Sequence, residues 1–205
     1  DVPEYNWTWL DTENQLKMLS MVDEEDREII RFLMLHGCRP GEARALKVKN
    51  LDLKTNSIRI DSTFSDSVIR EKRKGRNSKH YIIPIHPEML EYLQYRCNNS
   101  LPEAFVFINP RSGKHYADAC LDGVWNKARK KACAPKLRLY DATRHSLGSG
   151  LANQNVSPFI ISKILGHTTV KMSERYMHHD IDSLRVAFDK VSLEKKVSEI
   201  KPKKE

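Results

Sequence analysis

Tyr176 follows His167 by nine residues in the string LGHTTVKMSERYMHH, a spacing that offers a phenol nucleophile beside an imidazole able to handle protons. Gly166 is placed to stop one helix, His167 is then held at the turn, and a short amphipathic helix presents Tyr176. Taken alone, the pair also fits a half-buried tyrosine and a capping histidine. Two arginines change the balance. In His36-Gly37-Cys38-Arg39-Pro40-Gly41-Glu42, Arg39 comes directly after a helix stop, with Glu42 three residues on. Acid and backbone there would orient the guanidinium while its fork points outward, the geometry that grips a phosphate with two bonds. In Tyr140-Asp141-Ala142-Thr143-Arg144-His145 the second arginine is expected in the first turn of a helix. A cation there opposes the helix dipole, so an anionic partner is expected to compensate it. Each arginine alone also fits a surface or salt-bridged role.

These groups lie far apart in sequence, so the elements between them must bring them together. Residues 12–21 and 24–36 carry apolar positions at helical spacing, with Asp11 and Asp23 at the N-cap positions and Gly37 as a C-terminal stop. A third short helix begins near Pro40. Alternation in residues 57–64, 67–71 and 79–85 predicts three strands, with 72–78 as a long polar hairpin turn between the last two. Helical spacing returns in 87–98, 117–132, 142–153, 158–166 and around Met172. A further helix at about 183–191 leads into the Lys/Glu-rich stretch 194–205.

Composition narrows the partners. No apolar run approaches the roughly 20 residues that a membrane helix needs, and residues 1–10 lack the pattern of a secretory leader. Cys38, Cys97, Cys120 and Cys133 form no C-x-x-C pair and have no compact spacing to histidine, so they read as reduced core thiols with no metal site. A formal charge of +8 and a pI near 9.3 favour a polyanionic partner, because neutralising phosphates releases condensed counterions. No P-loop is present.

The string HGCRPGEARALKVKNLDL resembles the first arginine box of the tyrosine recombinases of the phage-integrase family. TRHS followed by LGH and Tyr176 resembles the second box, in the same order and separation, and the likeness runs over about residues 8–180. It implies a mostly helical α+β catalytic domain over residues 1–180, with a small three-stranded antiparallel sheet. Arg39 and Arg144 would clamp the scissile phosphate, His167 would hydrogen-bond it, and Tyr176 would form a 3′-phosphotyrosyl bond and release a 5′-hydroxyl. A hairpin lysine would be the general acid for the leaving oxygen, Lys74 by preference and Lys72 next, while Arg70, Lys72, Arg73, Arg76 and Lys79 would contact DNA.

One position departs from the family pattern. Three residues before the second arginine the family usually has histidine, and here that place holds Asp141. An ionised aspartate cannot donate to a phosphate and repels it, so Asp141 is expected to orient Arg144 or a nearby lysine. The acceptor of the tyrosine proton stays open between a water, His145 and a neighbouring group. The resemblance implies no metal and no ATP: guanidiniums, an ammonium and an imidazole supply the positive charge, and the phosphotyrosyl ester conserves the bond energy.

It further implies double-stranded DNA as partner, a cytoplasmic, nucleoid-associated setting, and an N-terminal domain beyond this chain that completes the clamp on DNA. Assembly would be a tetramer, with residues 181–205 passing a helix and charged tail to a neighbour. The hairpin insertion and Asp141 point to the integrase of a phage or mobile element. A catalytically weakened DNA-binding module of the same fold and a type IB topoisomerase are the alternatives.

Overall fold

The computed structural model describes residues 9–65, 68–71, 80–134 and 136–177. Lys72, Arg73, Lys74, Arg76 and Lys79, and the expected docking helix and tail, lie outside the described residues.

The second helix, α2 (Arg27–His36), buries Ile29, Ile30, Phe32, Leu33 and Met34, and the rest of the domain packs around it. Its predecessor α1 (Thr12–Ser20) starts as expected, with the Asp11 carboxylate accepting the Asn14 N–H at 2.8 Å. Asp23 behaves differently. Residues Glu24–Asp26 form a tight 3-10 turn, the helix proper begins only at Arg27, and Asp23 caps nothing with its side chain. Its carboxylate instead takes the ammoniums of Lys127 and Lys131, which hold its pKa down to about 2. Gly37 ends α2 in the left-handed region at φ +61°, where its N–H bonds to Leu33 O. Three residues later Pro40 opens α3 (Pro40–Ala45) at the position where a missing N–H costs nothing.

Among the described residues five strands follow, against three expected. The run at 57–64 breaks at Asp61, whose carboxylate accepts from the Asn50 amide at 2.9 Å and pairs with Arg59 at 3.2 Å. On either side of the break lie β2 (Ser57–Ile60) and β3 (Ser62–Ser65), after a short β1 (Leu51–Asp52) that the alternation did not reveal. A three-stranded antiparallel sheet has the order β1-β2-β5, with β5 at Tyr81–Pro84, and Ile58 and Ile83 face the core. The strand β4 (Val68–Glu71) pairs with β3 as a separate two-stranded ribbon. The connection at 72–79 therefore links a ribbon to a sheet, and among the described residues β4 and β5 are not paired as the sequence suggested.

The remaining helices are α4 (Leu90–Asn99), α5 (Asp118–Lys131), α6 (Ser146–Asn153), α7 (Pro158–Leu165) and the short α8 (Lys171–Glu174). The molecule is thus mostly helical with a small antiparallel sheet. Its main core joins α2, the three-stranded sheet, α4 and α5, with Trp125 donating its indole N–H to Leu137 O at 2.8 Å. A smaller cluster holds Ala152, Ile161, Leu165 and Tyr176. Of the four cysteines only Cys38 is fully buried. Cys97 and Cys120 are partly covered, and Cys133 is exposed where the chain turns out of α5 through a left-handed residue, so the expectation of four core thiols is corrected. Among the described residues no helix is long and apolar enough to cross a membrane.

Candidate active site

Helices α2 and α7 both end on glycines in the left-handed region, Gly37 and Gly166, and both leave terminal carbonyls without helical partners. Arg144 takes them. Its guanidinium is 0% exposed and donates from Nη1 to Gly37 O at 2.8 Å and from Nη2 to Leu165 O at 2.5 Å. Arg144 sits inside a turn that starts at Asp141, and its positive charge is compensated by the negative ends of two distant helices rather than by a carboxylate. Its Nε is buried and has no hydrogen-bond partner among the described residues.

Arg39 lies two residues beyond Gly37. Burial works against its charge, but Glu42 outweighs that and raises its pKa. One Glu42 oxygen takes the guanidinium at 3.0 Å, and the other takes both the Arg39 N–H at 2.9 Å and the Tyr81 hydroxyl at 2.8 Å. Glu42 is buried at 1% while the Arg39 side chain keeps 38% of its surface. The fork is therefore anchored from below and reaches the surface, as its place between a helix stop and a helix start predicts.

His167 follows Gly166, and its N–H closes the end of α7 on Ser162 O at 2.8 Å. The imidazole is held from α8 through Nδ1 and the Ser173 hydroxyl, 2.7 Å apart, and its buried Nε2 has no partner among the described residues. With Ser173 donating, Nε2 carries the hydrogen. Burial lowers its pKa to about 4, helped by Arg144, Arg175 and Arg39, so the ring is neutral at pH 7. Those couplings also tie both predicted arginines to one imidazole.

Tyr176 falls one turn after α8 and is 6% exposed. Its ring lies parallel to that of His167, with centroids 6.3 Å apart, and rests on Gly148 of α6, where an added Cβ would stand 2.8 Å from Cζ. Its hydroxyl meets His145 Nδ1 at 2.8 Å. Burial raises the phenol pKa, while Arg175 and Arg144 pull it the other way.

Asp141 and His145 are the two ends of a π turn closed by an N–H from Ser146 to Asp141 O, a rare device that is frequent at functional sites. Asp141 was expected to orient Arg144 or a lysine. It pairs instead with Arg138, at 2.7 and 3.0 Å, and one of its oxygens lies 3.5 Å from His145 Nε2.

The fold thus gathers Arg39, Asp141, Arg144, His145, His167 and Tyr176 around one place, from residues more than 130 positions apart. Arg70 lies exposed on the ribbon strand β4. Lys72, Lys74 and the other hairpin cations are outside the described residues. Contributors that the sequence reading missed include Tyr81, Ser173, Gly148, Arg138 and Arg175. Tyr81 shares a strand face with Ile83, so alternation could have found it; Ser173 and Gly148 carry no signal in the sequence.

Over residues 8–182 the chain matches the phage integrase family, and it belongs to that family. Among curated proteins it is 24% identical over 177 residues to the tyrosine recombinase XerC of Thermodesulfovibrio yellowstonii, covering 82% of this chain and 54% of that one. It is 26% identical over 191 residues to the integrase of Escherichia phage 186, covering 90% and 48%. The chain therefore spans about half the length of the curated relatives it matches. Among solved structures it superposes on the Tn1549 transposon integrase in complex with a circular intermediate DNA, with a TM-score of 0.78 at 20% identity over 94% of this chain and 68% of that one.

Proposed function

We propose that the chain is the catalytic part of a site-specific recombinase that cleaves and rejoins DNA for a phage or mobile element, through a 3′-phosphotyrosyl intermediate. The observation that carries this reading is the cluster itself. A half-exposed guanidinium, a buried guanidinium with an unpartnered Nε and a neutral imidazole with an unpartnered Nε2 share one cluster with Tyr176, whose hydroxyl meets His145. Unpartnered buried donors are costly, and a phosphodiester would satisfy them.

The chemistry follows from the donors. Tyr176 Oη attacks phosphorus, Arg39 and Arg144 stabilise the charge that builds on the non-bridging oxygens, and His167 Nε2 donates to one of them. The bond to the 5′-oxygen breaks, and the leaving group takes a proton from a general acid, for which Lys74 and Lys72 are the candidates. The ester keeps the bond energy, so a 5′-hydroxyl from another duplex reverses the step. The positive charge of the chain supports DNA as the partner, as does the DNA complex of the Tn1549 integrase. Assembly into a tetramer through residues 181–205 rests on the family likeness.

The test incubates the chain with a pool of nicked duplexes with randomised arms, in which cleavage next to the nick releases a short oligonucleotide and traps the covalent adduct. An adduct that Tyr176→Phe abolishes is the expected result. Binding without any adduct would make the chain a DNA-binding module, and relaxation of plasmids regardless of sequence would make it a topoisomerase.

A further inference from the structure

We infer that His145 is the proton acceptor for Tyr176, and that Asp141 is the positioning residue that fixes the His145 ring. The inference rests on Tyr176 being the nucleophile.

Geometry selects His145. Its Nδ1 is 2.8 Å from the Tyr176 hydroxyl, and both residues are shielded from solvent, at 3% and 6% exposure. The other imidazole, His167, lies flat beside the Tyr176 ring and directs its Nδ1 to Ser173. For Nδ1 to accept, the ring hydrogen must sit on Nε2. That nitrogen faces Asp141 Oδ1 at 3.5 Å, and a carboxylate there favours the required tautomer and the imidazolium that forms when the proton arrives. The logic is that of a carboxylate behind a histidine behind a hydroxyl nucleophile. Arg138 donates to both oxygens of Asp141 and offsets its negative charge. The π turn makes this possible, because it places residues four apart on the same side of one wide turn.

The groups that face His145 are Asp141, Arg138 and Arg144 from its own segment, Tyr140 edge-on at 5.0 Å, and Arg175, Tyr176 and His167 from the segments around α8. Burial lowers the pKa of the imidazole to about 4; Asp141 opposes this and the arginines reinforce it, so the ring is neutral and able to accept at pH 7. The Tyr176 O–H bond breaks and its proton goes to Nδ1 as Oη bonds to phosphorus; the bond to the 5′-oxygen breaks, and that oxygen is protonated by the general acid. On rejoining, His145 returns the proton to Tyr176.

The test measures single-turnover cleavage of the duplex recovered from the nicked pool. His145→Ala is expected to slow cleavage by about a hundredfold, with the residual adduct still on Tyr176. His145→Asn, which can hydrogen-bond the phenol but cannot take its proton, should be as slow. Asp141→Asn should slow cleavage by about tenfold. The deciding readout replaces Tyr176 with a fluorinated tyrosine, whose more acidic phenol needs less help. The His145→Ala defect should then shrink at least tenfold, by the sensitivity expected of general base catalysis. A defect unchanged by fluorination, or His145 variants that cleave within about threefold of wild type, would overturn the inference while leaving Tyr176 as nucleophile. Absence of any adduct from the wild-type chain would remove the functional reading and this inference together.

Discussion

Arg144 has no exposed surface, and the fold tolerates its charge because two helix ends converge on it. Hydrogen bonds from a charged donor are each worth about 1.5–3 kcal/mol, and here they also join the main core at Gly37 to the smaller cluster at Leu165. Replacement by alanine strands both carbonyls, so Arg144→Ala should lower unfolding stability by about 3 kcal/mol, read as a shift in the urea midpoint. An Arg144→Ala protein as stable as wild type would contradict this placement. The need for a partner was legible in the sequence, but its identity was not, because the partners are carbonyls 107 and 21 residues away. Arg39 was the reverse case: its neighbour Glu42 is close in sequence, and the expected orientation was met.

At the scale of elements, α6 decides where the phenol rests. Gly148 offers the only flat surface that the Tyr176 ring touches on that helix among the glycines described, whereas a Cβ at Gly150 would meet nothing within 4 Å. The two positions therefore make a matched pair. Gly150→Ala should stabilise the helix by about 0.5–1 kcal/mol and leave cleavage unchanged. Gly148→Ala should push the ring away from His145 and slow single-turnover cleavage by about tenfold or more, since small misplacements of a nucleophile are costly. Equal cleavage rates for the two variants would rule out docking on Gly148. Helix periodicity and the two stop glycines were readable from sequence. The π turn was not, because its widening depends on what Asp141 and His145 meet in three dimensions, and the break at Asp61 was hidden inside an uninterrupted alternating run.

Across the whole molecule, burial holds three imidazoles, His36, His145 and His167, at pKa values of about 4, below the ordinary 6.5. The unfolded chain binds more protons than the folded one once pH falls below that ordinary value. The stability these groups contribute is therefore complete above pH 6.5 and lost as pH drops toward 4. Thermal unfolding from pH 7 to 4 should show a melting temperature that falls throughout this window; a flat profile would mean that the rings are protonated in the folded state. The class of fold was visible in the arginine boxes and the Gly-His-Tyr string. The pairing of the strands was not, because β3 and β4 close on each other while β2 pairs across the intervening segment with β5.

The most direct test of the account is to map the covalent bond. After the chain has reacted with the nicked duplex pool, protease digestion and mass spectrometry of the adduct should find a nucleotide 3′-phosphate on the peptide that contains Tyr176. Attachment to Tyr140 or Tyr81, which lie beside the same arginines, or to a serine or histidine, would contradict it.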